Sequence, residues 1–235
     1  MGDYIVTTSG RKVFVNPDND IDVTDHLNDS KGYAKFIIRQ INTDRIYDEC
    51  LKDKKDLVIL DIGANVGLFS VYAQDAARRL VAVEPTPSHQ EIFQKITKYS
   101  TNIELVRAAL SDDDGPITFY ISDENSTMNS IVNKYGRQIS VDGLCLSSLL
   151  AQNNLDHVDF CKIDIEGSEM KAITVETLTP VFDKIDNIFI ECHATVPNFT
   201  HDDIIKNRVK IEYILGKVGY NTKVVNFDTI YAFKM

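Results

Sequence analysis

From residue 57 onward, short apolar runs alternate with stretches of helical periodicity. Residues 57–61, 80–84, 103–109, 158–164 and 187–193 predict strands. Residues 66–78, 87–99, 146–152, 169–177 and 201–218 predict helices, with Pro180 interrupting after the fourth and Gly219 stopping the last. Such alternation implies βαβ winding. The expected fold class is α/β, a doubly wound and mostly parallel seven-stranded sheet. Residues 117–121 follow the turn Asp112-Asp113-Asp114-Gly115 with too little chain for a crossover helix, so they and 138–141 predict an antiparallel excursion. The last two strands, 223–227 and 229–233, join through Asp228 almost without a spacer, which makes the terminal strand antiparallel.

Upstream, residues 4–8 and 11–16 flank Ser9-Gly10 and read as a small hairpin, followed by a polar connection over 18–30. Residues 31–51 predict a helix. Its apolar positions Tyr33, Phe36, Ile37, Ile41 and Ile46 approximate a stripe that would pack on the remaining chain. The expected division is a hairpin-and-helix extension over 1–50 and one domain over 51–235.

At 235 residues the chain suffices for one sizeable α/β core and not for two ordinary domains. The net charge of −10 opposes long-range attraction to phosphate backbones and anionic membranes, which makes nucleic acid an unfavoured partner. Cys50, Cys145, Cys161 and Cys192 form no CxxC pair and no zinc spacing. Neither a signal-peptide apolar region nor an 18-residue apolar run occurs, Val6 stands where myristoylation wants Ser or Thr, and the end Ala232-Phe233-Lys234-Met235 lacks a prenylated Cys. The expectation is a cytoplasmic protein without a membrane anchor.

Two constellations carry chemistry. Asp61-Ile62-Gly63-Ala64-Asn65-Val66-Gly67 puts a glycine-rich turn between a strand and a helix, where backbone N–H groups can approach a ligand, and Glu84 ends the next strand, where a carboxylate can hold two ribose hydroxyls. Counting from Gly63, the third position is Asn65 and the sixth is Leu68, so the dinucleotide glycine set is absent. An Asp at the strand tip without that set suits S-adenosylmethionine, which carries an ammonium and a sulfonium. The second constellation is Lys162-Ile163-Asp164-Ile165-Glu166-Gly167-Ser168-Glu169 at the end of another strand. On a persisting strand, Asp164 and Glu166 would share a face. Glu191 and His193 end the neighbouring strand, where a neutral imidazole can act as a general base.

Together with Val83-Glu84-Pro85, Ala108-Ala109-Leu110-Ser111-Asp112 and Ile190-Glu191-Cys192-His193, these motifs resemble, in order and spacing, the FkbM family of class I S-adenosylmethionine-dependent methyltransferases over residues 57 to 235. The resemblance implies S-adenosylmethionine as cofactor. It implies a cofactor set of Asp61, Gly63, Ala64, Asn65, Gly67, Glu84, Pro85, Ala109, Leu110 and Asp164, with Ala108, Ala109 and Leu110 framing the adenine. Asp164, Glu166 and His193 are the candidate catalytic residues, with the general base open among them. Asp164, Glu191 and His193 can also be imagined around a divalent cation, but the spacing does not demand it and no metal is expected. The expected reaction is methyl transfer to a hydroxyl of a small molecule or sugar. A non-catalytic cofactor-binding module, a nucleic-acid or protein methyltransferase and a nicotinamide oxidoreductase are the alternatives.

Overall fold

The computed structural model describes residues 4–14, 37–122, 129–132, 136–194 and 199–235. The expected connection at 18–30 lies outside the described residues, as do residues 126–128 of Ser126-Thr127-Met128-Asn129-Ser130, a Ser/Asn-rich stretch that the sequence predicts as a loop. Strands β1 (Tyr4–Val6) and β2 (Lys12–Phe14) form the hairpin. A π-helical turn (Gln40–Asp44) and the short helix α1 (Asp48–Leu51) follow. The single helix expected over 31–51 is broken. Arg45 has φ +54° and donates its N–H to the Gln40 carbonyl, closing the helical turn before α1 begins.

The main unit comprises β3 (Leu57–Ile62), α2 (Leu68–Ala73), β4 (Ala77–Val83), α3 (Pro87–Ile96) and β5 (Ile103–Val106), then β9 (Phe160–Ile163), β10 (Asn187–Glu191), β11 (Asn221–Val224) and β12 (Thr229–Phe233). Between β5 and β9 lie β6 (Ala109–Leu110), β7 (Gly115–Ile121), β8 (Arg137–Leu144) and the helix α4 (Leu146–Gln152). Helices α5 (Glu169–Ala172) and α6 (Val175–Leu178) follow β9, and α7 (His201–Val218) precedes β11. The strand order is β11-β12-β10-β9-β3-β4-β5, with β12 antiparallel to both neighbours. The expected seven-stranded, mostly parallel sheet is present.

Side-chain alternation on the strands makes two cores. Val58, Leu60 and Ile62 face the layer of α4 and α7, where Leu149 and Ile211 are fully buried. Ile59, Phe160 and Phe189 face the other layer, with Tyr47 just before α1, Leu51 from α1, Phe69 from α2 and Phe93 from α3. Because both faces are covered, the central strands read as continuous apolar runs rather than alternating ones. The hairpin docks on α2: the Thr8 N–H bonds the Tyr72 carbonyl, and Asp75 accepts from Thr7, Ser9 and Arg11.

Three boundaries depart from the sequence expectation. The strand expected over 103–109 divides, β5 staying in the large sheet while β6 pairs with β8 in a separate three-stranded sheet, which contains the expected antiparallel pair β7–β8. The helix expected over 169–177 is interrupted at Ile173 by extended backbone, and Thr174 caps α6 by accepting the Thr177 N–H. Strand β9 stops at Ile163 and β10 at Glu191, so Asp164, Glu166 and His193 all lie in loops. No helix among the described residues is long and apolar enough to cross a membrane.

Candidate active site

The chain winds outward from β3 through β4 to β5, then returns to place β9 on the other side of β3. Such a reversal leaves a crevice outside the carboxyl ends of the strands. Two adjoining cavities open there, with Gly63, Asn65, Asp164 and Glu166 in the walls of both.

Glu84 anchors the first cavity. It is buried, its Oε2 accepts the Asn65 N–H at 2.9 Å, and its Oε1 accepts the Thr86 N–H at 2.8 Å, with His89 Nδ1 3.3 Å away. Burial works to raise this carboxyl, but His89 and the Thr86 donors outweigh it and hold the pKa below its ordinary value. An ionised carboxylate keeps lone pairs for further donors. Pro85, Ala109 and Leu110 add apolar lining, and Asp164 stands in the same wall. A buried anion for vicinal hydroxyls, an apolar bed for a flat base and a second anion for a cationic centre make a donor set that fits S-adenosylmethionine.

The turn between β3 and α2 is set by contact as well as by backbone angle. A Cβ at Gly63, where φ is +78°, would lie 1.7 Å from the Asp164 carbonyl oxygen. Gly67, at φ +93°, is followed by α2 and packs its Cα face on the Phe93 ring. Ala64 lines the second cavity. Asp61 lines neither: it is fully buried beneath the turn, with Oδ2 accepting from Ser70 Oγ at 2.6 Å.

The second cavity, of about 290 Å³, holds the charged cluster. Lys162 lies beside Asp61 in the β3–β9 register, and its Nζ is 3.1 Å from Asp164 Oδ2 and 3.8 Å from Asp61 Oδ1. Burial raises the Asp164 carboxyl, but Lys162 and then His193 more than offset this, so its pKa lies below the ordinary value. For Asp61 burial prevails over Lys162 and Ser70, and its pKa is raised. His193 Nε2 lies 3.8 Å from Asp164, 3.7 Å from Glu166 and 3.8 Å from Glu191. Burial pushes Glu166 up to about 8 against the pull of His193, and burial with Asp164 pushes Glu191 up to about 7. Burial would lower the imidazole, yet Glu166 and Glu169 override it and raise His193 well above its ordinary value.

The shared-face argument for Asp164 and Glu166 does not apply, because β9 has ended before either. The loop joins them instead. Glu166 takes φ +52° and Gly167 φ +93°, and ligand atoms of Asp164, Glu166 and His193 come within 4.8 Å of one another. A left-handed non-glycine residue costs about 1–3 kcal/mol and persists where its surroundings fix it. Glu169 does so here: its Oε1 accepts the N–H groups of Ile165 and Gly167 at 3.2 Å each, and His193 Nδ1 at 2.9 Å.

Sequence reasoning placed Asp164, Glu166 and His193 together and missed Lys162, Glu169, His89 and Asn129. Asn129, within the Ser/Asn-rich stretch, lines the first cavity and its Nδ2 is 3.3 Å from Thr86 Oγ1. His89 is buried in the first turn of α3, within 3.3 Å of Glu84, and its position one turn after Thr86 was its sole signal.

The profile of the methyltransferase FkbM domain matches residues 61–215. Methyltransferase 1 of Beauveria bassiana is 26% identical over 187 residues, covering 69% of this chain and 74% of that protein. The 31-O-demethyl-FK506 methyltransferase FkbM of Streptomyces tacrolimicus is 24% identical, covering 63% of this chain and 70% of that one. Among solved structures, the precorrin-6y C5,15-methyltransferase of Geobacter metallireducens superposes with a TM-score of 0.50 at 16% identity, over 83% of this chain and 89% of that chain, which supports the shared fold. With its profile matched over more than half its length, the chain belongs to the FkbM family of S-adenosylmethionine-dependent methyltransferases.

Proposed function

We propose that the protein transfers the methyl group of S-adenosylmethionine to a hydroxyl oxygen of a small molecule or sugar. The observation that carries this reading is the convergence of Asp164, Glu166 and Glu191 on His193 Nε2, at 3.7–3.8 Å, where the two cavities adjoin. Glu84 would hold the ribose hydroxyls, with Gly63, Asn65 and Gly67 shaping the turn, Pro85, Ala109 and Leu110 lining the base, and Asp164 facing the cationic end. The bound cofactor supplies an electrophilic methyl on a sulfonium. Alignment of the acceptor oxygen with the methyl carbon and the sulfur can supply ~7–11 kcal/mol of barrier reduction.

Proton removal falls to Glu166. Its pKa of about 8 lies near neutral pH, where a general base is most effective, and such a base contributes ~10²–10⁴-fold. His193, held by Glu169, positions the carboxylate and the acceptor. A cytoplasmic location, with its four unpaired cysteines reduced, belongs to the same reading. The test is incubation with methyl-labelled S-adenosylmethionine and a panel of hydroxylated acceptors, read by mass spectrometry. A product heavier by one methylene at oxygen supports it. Methylation confined to nitrogen, carbon or macromolecules would overturn it.

A further inference from the structure

Resting on the methyl-transfer reading, we propose that the acceptor is an uncharged alcohol on a largely apolar body, seated in the second cavity with its hydroxyl toward His193.

The lining of that cavity is segregated by element. Lys162, Asp164, Glu166, Glu191 and His193 all come from β9, β10 and the loops after them. Among the described residues, the other elements contribute chiefly aliphatic and aromatic groups, including Ile37, Ile41, Val66, Phe69, Phe199 and Ile204. A carbohydrate carries hydroxyls around its whole perimeter, and those turned toward this wall would lose water without gaining partners. An apolar skeleton loses nothing there. Cavities of this size take small ligands.

Charge narrows the class further. No arginine lines the cavity among the described residues, and its one lysine, Lys162, is committed to Asp164 and Asp61. The other cation of the wall, the imidazole of His193, is shared among Asp164, Glu166, Glu169 and Glu191, so a phosphate, sulfate or carboxylate on the acceptor would meet carboxylates whose cations are already paired. The wall also bears uncovered apolar surface: Phe199 is 50% exposed and Ile37 is partly exposed. Solvent-facing apolar groups around a concave site mark a surface that a ligand covers.

The test uses the full chain saturated with S-adenosylhomocysteine and the neutral dye N-phenyl-1-naphthylamine, whose fluorescence rises in apolar surroundings. The dye should bind at one saturable site, and menthol or 4-tert-butylcyclohexanol should displace it. Methyl α-glucopyranoside and glucose 6-phosphate should not displace it at equal concentration. Phe199→Asp, at an exposed position, and Ile37→Asp, at a partly buried one, should each weaken dye binding at least tenfold while calorimetry shows unchanged S-adenosylhomocysteine affinity, which also reports that each variant is folded. Absence of dye binding, preferential displacement by the sugar or its phosphate, or unchanged dye affinity in both variants would overturn the proposal while the methyl-transfer reading stands. Failure of S-adenosylhomocysteine itself to bind would remove both.

Discussion

His193 Nδ1 lies 2.9 Å from Oε1 of Glu169, the same oxygen that accepts the N–H groups of Ile165 and Gly167. One buried carboxylate thus fixes the imidazole and the loop carrying Glu166. Glu169→Gln keeps the size but weakens the charge-assisted bond, so turnover at saturating cofactor should fall by up to ~10²-fold, part of what a positioned base contributes, with little change in cofactor affinity. Steady-state kinetics beside calorimetry checks this, and an unchanged rate would reduce Glu169 to a loop tie.

Glu166→Gln should lower the rate constant at saturating cofactor by ~10²-fold or more, and the residual rate should climb with pH as hydroxide takes over proton removal. His193→Asn is the matching comparison. A normal rate in the glutamine variant with a collapsed rate in His193→Asn would transfer the base to His193.

Glu84→Ala should weaken cofactor binding by about 1.5–3 kcal/mol, the range for hydrogen bonds to a charged group, and Glu84→Gln should retain part of it. Titration calorimetry with S-adenosylhomocysteine measures both. Since the carboxylate also receives the Asn65 and Thr86 N–H groups, the alanine variant should in addition loosen the turn, seen as faster amide exchange at Asn65.

The ligand-free protein should lose thermal stability as pH rises from about 5 to 8. Glu166 moves from 4.5 unfolded to about 8 folded, so the folded chain holds a proton that the unfolded chain releases. That contribution is complete below pH 4.5 and is lost as pH rises through about 8; Glu191 acts in the same direction up to about 7. The raised His193 adds to the trend, its contribution being complete below 6.5 and lost as pH rises from there through its own elevated pKa. Unfolding scans across this range should show a shallower decline for Glu166→Gln than for the parent, and equal slopes would contradict the assignment.

Turnover should survive EDTA. Lys162 and the raised imidazole of His193 already place two cations among the carboxylates, so no divalent ion is needed to neutralise them. Loss of activity on chelation, restored by magnesium or manganese, would show instead that Asp164, Glu166 and His193 are ligands.

The ends of β3, β4, β9 and β10 were legible because each is an apolar run with a carboxylate at its end, and a strand buried on both faces leaves that signature in a single sequence. What stayed hidden depends on partners distant in the chain. Lys162 stood inside the recognised motif, yet its role follows from lying beside Asp61, about a hundred residues away, on the adjoining strand. Glu169 read as an ordinary first-turn residue of α5, since its imidazole partner arrives in the loop after a different strand. The break at Arg45 and the division of 103–109 into β5 and β6 were equally opaque, because local periodicity does not reveal which sheet supplies the hydrogen bonds.

The missing side chain at Gly63 has a mechanical meaning. With the Asp164 carbonyl where a Cβ would sit, the glycine-rich turn and the end of β9 form a single stiff joint, and neither edge can drift without dragging the other. Gly63→Ala should therefore cost at least ~2 kcal/mol of stability, as overpacking does, and spoil cofactor affinity together with turnover. Accuracy at the reacting end is inherited from main chain pressed against main chain, which leaves the side chains of the acceptor wall free to change with the molecule they receive.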